Sequence, residues 1–192
     1  LIHVAGRQEL KSADQVLEGS LAAQGGRDRI SKIKTMRQTG RLVMPQMGMN
    51  GALTILNAAP RQSLATIEVK GFGKILTGVN DDVAWEMNPI TGARIISGAE
   101  RTQSLRESTF NADLIWKELY SKVELGGVVD FAGQRAYKIA LTAKEGDTHT
   151  RYFSVDTLLP IGMQMVIDSQ MGKIPIEMSI TDYRDVKGVK YA

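Results

Sequence analysis

At Thr35 the spacing of apolar residues changes from a helical rhythm to a period of two, and this switch constrains the fold more than anything else in the chain. From there, clusters of Pro, Gly, Asn and Asp cut the sequence into short extended segments. The pattern predicts strands over 35–44, 50–57, 62–69, 74–79, 83–87 and 93–97, then over 122–130, 135–143, 148–155, 161–169 and 174–184. A sheet of about eleven twisted strands curls. The expectation is an α+β, mainly antiparallel β fold: one strongly curved sheet forming a half-open barrel, with short helices covering its concave face.

Helical signals sit before the sheet and in its middle. Ser12-Ala13-Asp14-Gln15 reads as a helix start, the Ser12 hydroxyl capping the third amide while Gln15 reaches back, and Gly25-Gly26 stops the helix. A second short helix is expected from about Arg27 to Ile33. Ala99 to Ser108 is polar enough to lie on the surface, and Leu114, Ile115, Trp116, Leu119 and Tyr120 are spaced to bury one side of another short helix. Residues 1–11 read as a tail or linker and 12–192 as a single domain. A start at Leu1 fits a mature exported chain after loss of a signal peptide, or a fragment of something longer.

The residues offer little to catalysis. There is no cysteine, so disulfides, thiolate metal sites and cysteine nucleophiles are excluded. Of two histidines, His3 lies in the tail and His149 stands between Thr148 and Thr150, where a surface position is expected; neither has zinc-site spacing. No serine sits in a nucleophile elbow, Gly71-Phe72-Gly73 reads as a hairpin turn, and Asp81-Asp82 and Asp182 with Asp185 lack calcium-loop spacing. With 24 basic and 21 acidic residues intermixed and 6% aromatics, nothing resembles a nucleic-acid track. No apolar run reaches the ~20 residues of a membrane-spanning helix. No enzyme activity, cofactor, metal or nucleic-acid partner is expected.

Nine methionines stand out. Met44, Met47 and Met49 form one group; Met163, Met165, Met171 and Met178 form another, with Met163, Met165 and Ile167 sharing one parity and Ile174, Ile176, Met178 and Ile180 another. Unbranched thioethers repack around partners of varied shape, which suits a pocket for flexible chains, but they also fill ordinary cores. The Met44-to-Met49 group could also offer thioethers to Cu(I). Leu53 and Ile55, then Ala65, Ile67 and Val69, then Val83, Trp85 and Met87 alternate with polar residues and are expected to share one apolar face. Candidate ligand-contacting residues are therefore Met44, Leu53, Ile55, Ile67, Val83, Trp85, Met87, Met163, Met165, Ile176 and Met178.

The order of helix, six-strand meander, helical insert and five strands resembles the LolA/LolB-like lipoprotein carriers. The stretch Ile75-Leu76-Thr77-Gly78-Val79-Asn80-Asp81-Asp82-Val83-Ala84-Trp85-Glu86-Met87-Asn88-Pro89 is similar to that family's strand-turn-strand segment, and Asn57-Ala58-Ala59-Pro60 to the turn before its third strand. Ala13-Asp14, Gly25-Gly26, Met47-Gly48-Met49 and Met171-Gly172-Lys173-Ile174-Pro175 resemble an uncharacterised outer-membrane-lipoprotein-sorting branch. The carriers place a basic residue before the turn proline, where this chain has Ala58-Ala59, and they use more aromatics.

The resemblance implies an exported, periplasmic or cell-envelope carrier binding a hydrophobic small molecule or lipid: an acyl, sterol-like or isoprenoid chain, or a lipoprotein. Transient contact with a membrane surface or envelope proteins goes with that reading. The alternative is a non-catalytic interaction module of a larger envelope or peptidase-associated protein, its core simply filled.

Overall fold

The computed structural model describes residues 10–44, 49–169 and 172–192. Two helices, α1 (Ala13–Gln24) and α2 (Arg27–Lys32), precede six strands: β1 (Thr35–Met44), β2 (Met49–Ala58), β3 (Gln62–Val69), β4 (Gly73–Asn80), β5 (Val83–Asn88) and β6 (Gly92–Ile95). Helix α3 (Gly98–Glu107), a 3-10 turn over Ala112–Ile115 and the one-turn α4 (Trp116–Leu119) follow. Then come β7 (Tyr120–Phe131), β8 (Gln134–Ala143), β9 (Thr148–Ser154), β10 (Pro160–Ser169) and β11 (Gly172–Ser179), and a hairpin of β12 (Arg184–Val186) and β13 (Val189–Tyr191). The fold is α+β and mainly antiparallel β. Among the described residues no helix is long and apolar enough to cross a membrane.

The expected eleven strands are present, divided between two antiparallel meanders: β1 to β6 in sequence order and β7 to β11 in sequence order. The chain forms two compact units. One holds residues 32–112 with 168–170, the other the N-terminal helices with 113–167 and 171–192.

In the second unit the core forms where α1 crosses β8 and β9. Val16 and Leu17 of α1, with Trp116 of α4, meet Tyr137, Ile139, Leu141 and Phe153, and Ile139 and Leu141 have no exposed surface at all. The start of α1 behaves as the sequence predicts: the Gln15 amide donates to Ser12 Oγ at 3.2 Å, while Gln15 Oε1 accepts from the Lys11 amide at 2.9 Å. The Leu10 amide donates to the Tyr137 hydroxyl at 2.9 Å, and its side chain packs on the core. At the other end Gly25 takes φ 131°, and a Cβ there would lie 2.4 Å from the Gly188 carbonyl oxygen. Only glycine lets α1 close against the β12–β13 hairpin, whose Val189 is fully buried.

Three expectations are corrected. The last strand does not run to 184; it stops at Ser179, and a separate hairpin follows, built on a turn at Lys187-Gly188 with positive φ at both residues. Helix α3 does not lie wholly on the surface, because Gln103 and Arg106 are buried and Gln103 Oε1 accepts from the Asp168 amide at 2.8 Å. His149 is buried too. It pairs with Leu141 and so faces the α1 core, its ring edge-on to Tyr120 at 5.3 Å between centroids.

Candidate functional site

Directly paired residues of neighbouring strands point to the same side of a sheet, so the register decides which candidates meet. In the six-stranded sheet, Leu53 pairs with Ile67 and Ile67 with Ile75, while Ile55 pairs with Ala65 and Ala65 with Thr77. These share a face with Val79, Ala84 and Glu86, and α3 packs there through Leu105 and a charge bridge. Arg94 Nε bonds Glu86 Oε1 at 2.7 Å, and Arg94 Nη1 bonds Glu100 Oε2 at 2.9 Å. The two carboxylates hold the Arg94 guanidinium more firmly protonated than usual, hydrogen bonds to Glu100 contributing most. Helix α3 covers the β5–β6 end and leaves Leu53, Ile55 and Ile67 half-buried.

Val83, Trp85 and Met87 do not join them. Asn80 pairs with Val83 across the two-residue Asp81-Asp82 turn, so residues of opposite parity share a face, and all three project from the side away from α3. The single apolar face expected from alternation is two faces. On the open one, the Trp85 indole lies across Gly78, where a Cβ would come within 2.3 Å of the ring. A groove of about 540 Å³ opens beside it, lined by Arg37, Leu56, Leu64 and Trp85 among others.

The five-stranded sheet gathers the second methionine group. Met163 pairs with Arg151, which pairs with Ile139, so Met163 and, by alternation, Met165 face the α1 side. Gln164 Nε2 donates to Glu177 Oε2 at 2.5 Å on the opposite side, which turns Ile176 and Met178 to the α1 side as well. The α1 core stops at β9, and the methionines lie beyond it: Met163, Met165 and Ile176 are half-buried and Met178 is 39% exposed. Met47 and Met171 fall outside the described residues, as does the Met44 side chain; the Met44 backbone pairs with Met49 at the end of β1.

One ion pair borders this patch. Asp113 on the 3-10 turn accepts two hydrogen bonds from Arg151, Nη1 to Oδ1 at 2.5 Å and Nη2 to Oδ2 at 3.0 Å, and the guanidinium also sits 5.2 Å from the Phe153 ring centre. Burial pushes the Asp113 carboxyl up, but the Arg151 charge and hydrogen bonds outweigh it and hold the group below the usual carboxylate range. Burial likewise pushes Tyr183, whose hydroxyl donates to the Pro160 carbonyl at 2.8 Å, up to about 12. The pair was invisible in the sequence, since 38 residues separate its members. Parity gave one signal: Arg151 lies two residues from buried Phe153 on the same strand face.

No family model matches the sequence, and no curated protein matches it. Solved structures do. A DUF1329-family protein from Desulfovibrio piger is 13% identical and superposes with a TM-score of 0.55 over 94% of this chain and 83% of its own. A LolA-superfamily protein from Nitrosomonas europaea is 12% identical, TM-score 0.55, over 94% and 82%. A domain assigned to outer membrane lipoprotein sorting from Vibrio parahaemolyticus is 12% identical, TM-score 0.53, over 92% and 81%. At these identities the likeness is one of fold, and the fold of this chain is LolA-like.

Proposed function

We propose that this protein is a non-enzymatic carrier of a hydrophobic ligand, an acyl, sterol-like or isoprenoid chain, working in the cell envelope with residues 12–192 as one functional domain. The observation that carries the reading is the apolar patch on β10 and β11, where Met163, Met165, Ile176 and Met178 share one face beyond the reach of α1. Thioether side chains there can follow the shape of a flexible chain. At about 25 cal/mol per Å², covering about 200 Å² of apolar ligand surface contributes about 5 kcal/mol, enough for binding with no catalytic group. The half-buried Leu53, Ile55 and Ile67 supply a second apolar surface of the same kind on the other sheet. The LolA-like fold, shared with a domain assigned to lipoprotein sorting, supports the carrier reading and an envelope location.

Organic extraction of the purified protein followed by lipid mass spectrometry is the direct test, together with titration of a fluorescent fatty acid. Co-purified lipid and saturable uptake, weakened by Met165→Lys, are the expected results. Protein that carries no lipid and shows no saturable uptake would overturn the proposal.

A further inference from the structure

The open face of the six-stranded sheet carries an apolar track of unusual order. Following the register straight across the strands, Arg37 pairs with Leu56, Leu56 with Leu64, Leu64 with Gly78 and Gly78 with Trp85. Gly78 leaves no gap in the row, because the Trp85 indole covers it. Across β1 to β3 the flanking rows are polar, and at β4 and β5 the first of them continues as the apolar pair Leu76 and Met87. On one side lie Thr39, Thr54 and Thr66, successive partners across β1, β2 and β3. On the other lie Thr35, Ala58, Gln62 and Asn80, with Gln62 Nε2 donating to Asn80 Oδ1 at 3.0 Å. From Arg37 to Leu64 the strip is one side chain wide between hydroxyl and amide borders, and at β4 and β5 it widens over Leu76, Trp85 and Met87, the whole row spanning four strand spacings, about 19 Å.

The strip has a charged end. β1 is the margin of the sheet, and Arg37 is exposed there with no ion pair among the described residues. Leu56 is 42% exposed, and the groove along these residues is open to water. A bulky or two-chain lipid would overhang the threonine and amide rows and leave their polar groups without water. A single chain would not. Its methylenes would cover Leu56, Leu64 and the indole face, while a negative head at the margin stays hydrated beside the guanidinium, which accepts a carboxylate or a phosphate equally well.

We propose that this track is a binding site for a single-chain amphiphile with an anionic head group, carboxylate or phosphate, oriented with its head at Arg37 and its chain lying over Leu56 and Leu64 toward Trp85. The site is separate from the methionine patch of the carrier proposal. It stands or falls independently of it.

The test uses the full chain and four probes below their micelle concentrations: dodecanoate, dodecyl phosphate, dodecyl maltoside and dodecyltrimethylammonium. Trp85 emission is read in a Trp116→Phe background, with calorimetry of the unsubstituted protein as a second measurement. Saturable binding of dodecanoate or dodecyl phosphate with a blue shift of Trp85 is expected, and the tighter of the two names the head group. The maltoside and the ammonium compound should bind more weakly, Arg37→Gln should cost about fivefold in dodecanoate affinity, and Leu64→Lys should abolish the Trp85 response. Met165→Lys should leave that response intact, which separates this site from the carrier patch. Equal binding of all four probes overturns the head-group assignment, and a Trp85 response that survives Leu64→Lys overturns the site.

Discussion

The two sheets are built from the same antiparallel meander, yet they bury their side chains very differently. The β7–β11 sheet owns a closed core in which Ile139 and Leu141 have no exposed surface, sealed by α1 and Trp116, and on its other face Ala136 is fully buried with Phe131, Tyr152 and Ile161. The β1–β6 sheet has a cluster of Val79, Ala84 and Ile96 under Leu105, and elsewhere its Leu and Ile side chains remain half-covered or exposed on both faces. The contrast separates two duties. Dense packing concentrates stability in one sheet, and apolar area without cover, the usual mark of a binding surface, collects in the other and along β10–β11.

The largest expected effect probes that asymmetry directly. Phe153→Ala should cost about 4 kcal/mol in urea unfolding, whereas Val79→Ala should cost about 1–2 kcal/mol; equal losses would break the contrast. Next is the Asp113–Arg151 pair. Asp113→Ala leaves a guanidinium only 18% exposed without its partner and should cost about 3 kcal/mol. Because the folded carboxyl titrates below its unfolded value of about 3.9, its contribution is fully present above that pH and is lost as pH falls through the lower folded value. Asp113→Asn should therefore flatten the acid limb of a stability-versus-pH curve.

A smaller effect is expected at Gly78→Ala. The added methyl meets the Trp85 ring, so a loss of about 2 kcal/mol should accompany a red shift of Trp85 emission. Should the indole stay in place, the open face is more plastic than its packing implies. The smallest is Ser12→Ala, expected to cost about 1 kcal/mol because α1 loses its cap while keeping its buried stripe.

Much of the fold was legible because turn chemistry and alternation act locally. β1 and β3 fall where their flanking breakers put them, and the Ser12–Gln15 cap follows from four residues. Facing was harder to read. Alternation tells which residues of one strand agree, but agreement between strands depends on the turn joining them. A two-residue turn such as Asp81-Asp82 pairs positions three apart, Asn80 with Val83, and so exchanges odd for even. Counting that turn would have moved Trp85 to the open face. For His149, two threonine neighbours suggested solvent, while the parity it shares with Phe153 pointed inward. Ion pairs such as Asp113–Arg151 leave no local trace, because they depend on where a 3-10 turn comes to rest against a sheet formed later in the chain.

The contact between Gly25 and Gly188 has a consequence for the order in which the protein can be made. The β1–β6 meander is continuous in sequence and its strands end at Ile95, with only the short stretch 168–170 joining its unit from later in the chain. The unit built on α1 is not, for its first helix is closed by a hairpin more than 150 residues downstream, with Val189 part of the buried interior. During synthesis α1 must therefore wait, its apolar stripe uncovered, while the loosely cored sheet forms first. The region that becomes most stable is the last that can be finished.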